Sequence, residues 1–371
     1  MLISMRKTAT SEDIVRVVAA LEDRGIPSQV VHEANRIVVV LPKRRPEDVG
    51  GLRLLPAVDS VIQVDHRFQL ASIQSRRDRT IVRVGDVEIG GSMATVIAGP
   101  CSVESREQVL AAARGVRDAG ANLLRGGAYK PRTSPYEFQG LGLKGLQLLA
   151  EARQATGLPI VTEVIGTEDV DLVCEYADVL QVGARNMQNY PLLRRLAKVA
   201  KPVLLKRNPA ASVEEWLLAA EYLLVGGNPN VILCERGIKG SGLETRNTFD
   251  ISAVVLARQL THLPVIADPS HAAGRRDLIP ALSRAALAAG ADGLLLEVHP
   301  NPQAALSDGA QSLTIPEFER LMLGLAEPVR RVQPPLVRVV RPAAQMVVPR
   351  RAAQVRIAGG PGRREIWHAN P

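Results

Sequence analysis

The chain has 371 residues, 46% of them apolar and 23% charged, the make-up of a folded protein long enough for two domains or for one large barrel with an addition. Collagen, coiled coil and disulfide scaffolds are excluded: the three cysteines cannot all pair, and a chain this long buries enough surface to need no covalent staples. The net charge of +8 hints at nucleic acid, but residues 328–371 hold nine Arg and a single acid, Glu365, which leaves the first 327 residues neutral overall. Neither nucleic acid nor a membrane is therefore expected as a partner. The N-terminus lacks the apolar core of a signal peptide, and no run approaches the ~20 apolar residues of a membrane span. The expected compartment is a reducing cytoplasm with free thiols.

Residues 1–65 read as a small domain. An apolar start, Leu2–Met5, precedes Thr10-Ser11-Glu12-Asp13, a helix N-terminus, and Ile14, Val17, Val18 and Leu21 follow at helical spacing up to Gly25. Ser28–His32 and Arg36–Leu41 predict a hairpin around Glu33-Ala34-Asn35, Pro46–Leu55 a second helix, and Val58–Asp65 a last strand. The order β-α-β-β-α-β is ferredoxin-like. No residue set in it suggests chemistry, so a binding or oligomerisation module is expected. Residues 66–94 read as a polar, Arg-rich linker followed by a short hairpin, Ile81–Val84 and Val87–Ile89, turning at Gly85-Asp86.

From residue 95 to 327 one unit recurs. β-Branched runs begin at Thr95, Asn122, Ile160, Val179, Val203, Val231, Val265 and Gly293, each with room for a helix before the next. Eight β-α units predict a TIM (β/α)8 barrel. An open doubly wound sheet is the alternative, but its Gly-rich dinucleotide fingerprint follows none of the runs. Residues 328–371, rich in Arg, Pro and Ala, carry no helical or strand period and are expected to be disordered.

In such a barrel the chemistry sits at the C-terminal ends of the strands. Two sets fall there. Arg125, Lys130, Arg132, Arg185, Lys206 and Arg236 aim cations at one mouth, an arrangement that repels itself unless anions with several phosphate or carboxylate charges arrive. Arg is abundant in this chain, but Lys is scarce, which makes Lys130 and Lys206 the more informative members. Cys101, His271, Glu297 and Asp308 offer a thiol, an imidazole and two carboxylates on the same face, a donor set suited to one divalent metal without selecting which. Cys174 and Cys234 read as core thiols. His32, His66, His262 and His368 read as structural or surface groups, and His299 is near enough to the site to stay open.

These motifs carry a resemblance. GPCSVES, LRGGAYKPRTSPYEFQGLG, VGARN, LLKR, ILCERG, DPSHAAGRRDL and EVHPNPQAALSDGAQSL resemble 3-deoxy-D-arabino-heptulosonate 7-phosphate (DAHP) synthase, in the type I beta branch with an N-terminal ferredoxin-like regulatory domain. The resemblance covers roughly residues 1–326. It implies condensation of phosphoenolpyruvate with erythrose 4-phosphate to give DAHP and phosphate, at the head of the shikimate pathway to the aromatic amino acids. It implies a divalent metal, manganese first, with iron, cobalt or zinc open, acting as a Lewis acid on the aldehyde. Cys101, His271, Glu297 and Asp308 are similar to the family's ligands. Arg125, Lys130, Arg185, Lys206 and Arg236 match its phosphoenolpyruvate-binding cations, and Arg132, Thr133 and Ser134 the segment that holds erythrose 4-phosphate. Glu163 matches a site carboxylate. Lys130 is placed to protonate the new alkoxide or to orient the phosphate. A homotetramer, feedback by tyrosine or phenylalanine through residues 1–65, and a chorismate mutase partner are further family-level implications.

The nearest rival is 3-deoxy-D-manno-octulosonate 8-phosphate synthase, which uses arabinose 5-phosphate. That enzyme resembles Lys-Ala-Asn-Arg-Ser-Ser where this chain has Lys130-Pro131-Arg132-Thr133-Ser134. A catalytically inactive barrel serving as an amino-acid sensor is the alternative of another class, and the intact cation and donor sets argue against it. Two departures stand out. Asn208-Pro209 follows Lys206-Arg207 where the family commonly has Gly, and Lys239-Gly240-Ser241-Gly242 replaces a less glycine-rich segment, which predicts an altered loop path and a more flexible lid.

Overall fold

Thr10 caps the first helix as the sequence predicts: its hydroxyl accepts from the Asp13 N–H while the Asp13 carboxylate accepts from the Thr10 N–H. This helix, α1 (Ser11–Glu22), belongs to a four-stranded antiparallel sheet of β1 (Leu2–Met5), β2 (Gln29–Glu33), β3 (Arg36–Val40) and β4 (Val58–Ile62). The spatial order β2-β3-β1-β4 is the ferredoxin-like arrangement. Met1, Ile3, Met5, Val17, Leu21 and Val39 pack into its own small core. The computed structural model describes residues 1–33, 36–41, 49–76, 78–132, 134–242 and 244–325. Of the helix expected over Pro46–Leu55, residues 46–48 lie outside the described residues, and the described 49–55 hold a 3₁₀ turn, Leu52–Leu54, in place of an α-helix. The disorder expected of 328–371, and the placement of Thr133, also fall outside them.

Alternating β-branched and aliphatic residues close the remainder into a parallel barrel. Its strands are β7 (Thr95–Gly99), β8 (Leu123–Arg125), β9 (Ile160–Val164), β10 (Val179–Val182), β11 (Val203–Lys206), β12 (Val231–Glu235), β13 (Val265–Ala267) and β14 (Gly293–Glu297), with β14 pairing back onto β7. One residue set per strand points inward: Ile97, Leu123, Val161, Val179, Leu204, Ile232, Ile266 and Leu295 form one cluster. The alternate set packs outward against helices such as α3 (Leu143–Thr156) and α6 (Val213–Val225), whose Trp216 is fully buried and donates its indole N–H to Leu205 O at 3.1 Å.

The short hairpin β5 (Val82–Val84) and β6 (Val87–Ile89) has a structural role that its sequence did not announce. Val82, Val84 and Ile89 join the inward-facing cluster, and Thr95 at the start of β7 donates its hydroxyl to Glu88 O at 3.1 Å. The hairpin therefore plugs the barrel at the N-terminal ends of its strands, leaving the opposite mouth for chemistry.

The linker is clamped to the barrel rather than free. Glu221 of α6 accepts the N–H groups of Gln69, Leu70 and Ala71 at 2.8–2.9 Å. His262 is buried, with Nε2 2.7 Å from Leu70 O and Nδ1 2.8 Å from Thr80 Oγ1. Burial lowers its pKa to about 4. The folded value lies below the unfolded one of about 6.5, so the unfolded chain binds the extra proton and stability falls as pH drops from about 6.5 toward 4, by up to ~3 kcal/mol. His262→Gln should flatten that acid limb in denaturant melts at pH 4.5 and 7. An unchanged slope in the variant would remove His262 as its source.

Candidate active site

The ends of the eight strands bring the two sequence-defined sets together. Gly99, at the end of β7, has φ +151, and a Cβ there would meet Arg125 O at 2.1 Å, so only glycine lets β7 and β8 run this close. Cys101 follows on one side and Arg125 ends β8 on the other. Asp268 caps the short helix α8 (Pro269–Ala273), accepting the His271 N–H at 3.0 Å, and so aims His271 back across the mouth. Glu297 ends β14. Asp308 lies beyond it with φ +51, the one positive φ among non-glycine residues in the described chain.

A cavity of about 600 Å³ opens at this mouth, lined by Lys130, Arg132, Glu163, Arg185, Lys206, Arg236, His271 and Asp308 together with residues of neighbouring loops. Cys101, Arg125 and Glu297 are buried and do not line it; the Lys130–Cys101 and His271–Glu297 contacts join them to the lining. Ser134 also stands off the cavity, with its hydroxyl accepting the Tyr136 N–H at 3.3 Å.

The cations are not equivalent. Lys206 Nζ is 2.8 Å from Asp268 Oδ2, and Arg125 is tightly ion-paired with Glu297. Arg132 donates Nε to Phe138 O at 3.0 Å, and Arg185 donates Nη1 to Pro131 O at 3.2 Å. Arg236 is 8% exposed, yet no carboxylate of the described residues lies within ion-pair distance of it. Burial lowers its pKa, against the pull of Asp268. A buried guanidinium on a cavity wall without a counter-ion is a site for an anion.

The donor set converges. One atom each of Cys101, His271, Glu297 and Asp308 lies within 4.8 Å of all the others. Cys101 Sγ is 3.1 Å from Asp308 Oδ2, and His271 Nε2 is 3.3 Å from Glu297 Oε1 and 3.9 Å from Asp308 Oδ2. His271 Nδ1 faces Asp268 Oδ2 at 2.8 Å, the outer carboxylate that orients a ligating imidazole. Burial lowers the His271 pKa, more than Asp268 and Glu297 raise it, which leaves the ring neutral as a ligand must be. Burial pushes the Cys101 thiol up to about 12, and Glu297 adds to it. Arg125 and Arg246 partly balance the two convergent carboxylates, and the buried thiol stays protonated; a dication held among the four donors would favour the thiolate, and the donor chemistry fits a divalent metal.

Lys130 Nζ reaches Cys101 Sγ at 2.9 Å and Cys101 O at 3.2 Å. Burial works against its charge, but Cys101, Glu163 and Glu297 outweigh it and raise its pKa, so the ammonium is held charged. Glu163 lines the cavity and accepts from Gln181 Nε2 at 3.0 Å. His299, left open by the sequence, turns away into a loop network, 3.4 Å from Glu104 Oε2 and accepting the Asn301 N–H at 3.0 Å. Sequence reasoning missed Asp268, although it sits in a quoted motif three residues before His271. It also missed Arg246, Lys239 and Asn247, which line the cavity from a segment without periodicity.

Fold and site together define a (β/α)8-barrel protein with a cation-lined mouth beside a convergent set of metal-type donors. Residues 68–332 match the profile of the DAHP synthetase I family, and the chain belongs to that family. It is 46% identical over 323 residues to phospho-2-dehydro-3-deoxyheptonate aldolase of Thermotoga maritima, covering 87% of this chain and 96% of that one. The crystal structure of that name from the same organism superposes with a TM-score of 0.70 at 45% identity, over 88% of this chain and 96% of the other. A 2-dehydro-3-deoxyphosphooctonate aldolase of Acidithiobacillus ferrooxidans is 35% identical over 245 residues, covering 61% of this chain and 86% of its own.

Proposed function

We propose that this protein is a DAHP synthase: it condenses phosphoenolpyruvate with erythrose 4-phosphate and releases phosphate. The observation that carries the reading is the buried Arg236, without a carboxylate partner among the described residues, on a cation-lined cavity beside the Cys101–His271–Glu297–Asp308 set. Two phosphorylated substrates bring enough negative charge to neutralise Lys130, Arg132, Arg185 and Arg236, and holding them side by side removes much of the entropic barrier to their reaction. Lys130, Arg185, Lys206 and Arg236 on the cavity wall are assigned to phosphoenolpyruvate, with Arg125 behind them paired to Glu297, and the Arg132-Thr133-Ser134 segment, whose Arg132 lines the cavity, to erythrose 4-phosphate.

Cys101, His271, Glu297 and Asp308 would hold one divalent metal, manganese in our reading with iron, cobalt or zinc compatible with the donors, and its chemistry when bound is to polarise a carbonyl oxygen. The methylene carbon of phosphoenolpyruvate forms the new bond to the aldehyde carbon, and the aldehyde oxygen takes up a proton. Lys130, held as an ammonium, is positioned to give that proton or to fix the phosphate. Water adds at the carbon that carried the phosphate ester, and phosphate leaves as that C–O bond breaks. Glu163 faces the same cavity and can accept a proton there. Phosphate release from the two substrates, abolished by EDTA and restored by added Mn²⁺, is the test; release indifferent to chelation would remove the metal assignment.

The ferredoxin-like sheet supports a second part of the proposal, that residues 1–65 form a feedback module answering to tyrosine or phenylalanine within a cytoplasmic homotetramer. Among the described residues no helix is long and apolar enough to cross a membrane. A chain beginning near residue 66 should keep turnover and lose inhibition by either amino acid. Undiminished inhibition in that shortened chain would assign feedback to the barrel instead.

A further inference from the structure

Arg246 lies between β12 and α7 (Ile251–Leu260), in a segment stitched to α8: the Arg246 N–H donates to Ala273 O and the Asn247 N–H to Ala272 O, both at 2.9 Å. From there its Nη1 donates to Asp308 Oδ1 at 3.0 Å and to Gln311 Oε1 at 3.1 Å. Gln311 passes the contact on, with its Nε2 donating to Glu297 Oε2 in a short bond. In each carboxylate the second oxygen faces the donor set: Asp308 Oδ2 lies 3.1 Å from Cys101 Sγ, and Glu297 Oε1, which also pairs with Arg125, lies 3.3 Å from His271 Nε2. Asp308 itself holds a left-handed backbone, φ +51, which Asp adopts more readily than most non-glycine residues.

We propose that Arg246 is a positioning residue for the metal site, pinning the outer oxygen of Asp308 and, through Gln311, that of Glu297, so that both carboxylates present their inner oxygens to the ion. This rests on reading Cys101, His271, Glu297 and Asp308 as the metal set. Two effects of Arg246 oppose each other. Its positive charge repels a nearby dication, but the side chain is 41% exposed and that repulsion is screened by solvent. Its two hydrogen bonds orient a ligand, and outer partners of this kind change metal affinity about 10–100-fold. The orienting effect dominates.

The test is Co²⁺ titrated into the metal-free full-length protein, followed by the sulfur-to-cobalt absorption band, alongside phosphoenolpyruvate binding to the same metal-free protein. R246A should weaken Co²⁺ at least about tenfold and alter the band, a larger loss than any in phosphoenolpyruvate affinity. R246K, which keeps one donor, should recover most of the loss. Q311M, which breaks the second half of the bridge, should weaken Co²⁺ in the same direction and serves if R246A does not fold. Wild-type or tighter Co²⁺ binding by R246A overturns the inference, as does a loss confined to phosphoenolpyruvate, which would make Arg246 a substrate contact. A wild-type protein that develops no cobalt band overturns the metal-set reading itself, and is thereby distinguished from a failure of Arg246 alone.

Discussion

Glu297→Ala is expected to lower the stability of the metal-free protein by about 3–5 kcal/mol. Arg125 and Glu297 form a buried ion pair, with side chains 4% and 1% exposed. Removing the carboxylate strands a guanidinium inside the barrel, where its Nε already has no hydrogen-bond partner. His271, which faces the same carboxylate oxygen, also loses its neighbour. The size of the effect comes from the abandoned charge rather than from the intrinsic worth of the pair, so Arg125→Met combined with Glu297→Leu should regain much of the loss. Urea denaturation of the metal-free variants measures this directly. A single variant as stable as the wild type would mean that water reaches Arg125, and the buried-pair account would be wrong.

Lys130→Ala is expected to reduce turnover by about 10²–10⁴-fold, with a smaller change in KM. Its ammonium is half-buried on the cavity wall, held charged, and 2.9 Å from Cys101 Sγ, the position from which both proposed roles follow. Steady-state phosphate release gives the number. Wild-type kcat in the alanine variant would end both roles assigned to Lys130, while a raised KM with unchanged kcat would leave it only the binding of phosphate.

Much of this architecture was legible before any coordinates, and the reason is periodicity. β-Branched runs at regular intervals mark the barrel strands, and the structure starts each within a residue of the expected position. Thr10 and Asp13 announce α1 because a capping box is a local device. What depends on distant partners was not legible. The hairpin's role as a plug follows from the inward faces of eight strands, of which only β7 is adjacent to it in sequence. Arg125 and Lys206 read as cations offered to substrate, but each has a buried carboxylate partner supplied by another strand end, Glu297 and Asp268. Arg246 carries no sequence signal at all: it is one of many arginines, in a segment without helical or strand period, and only the fold places it against Asp308. The donor set is the exception, because a scarce Cys and His and two carboxylates, all in or just beyond the strand ends of one barrel, have few places to go but the same mouth.

The central claim is that the cavity accepts the four-carbon aldose phosphate. The direct measurement is phosphate release from phosphoenolpyruvate with Mn²⁺ present, using erythrose 4-phosphate and arabinose 5-phosphate in parallel. Efficient turnover is expected with erythrose 4-phosphate and little with arabinose 5-phosphate. Preference for arabinose 5-phosphate would contradict it and move the protein to the octulosonate reaction, and no turnover with either, in a folded metal-loaded protein, would turn the reading toward a sensor.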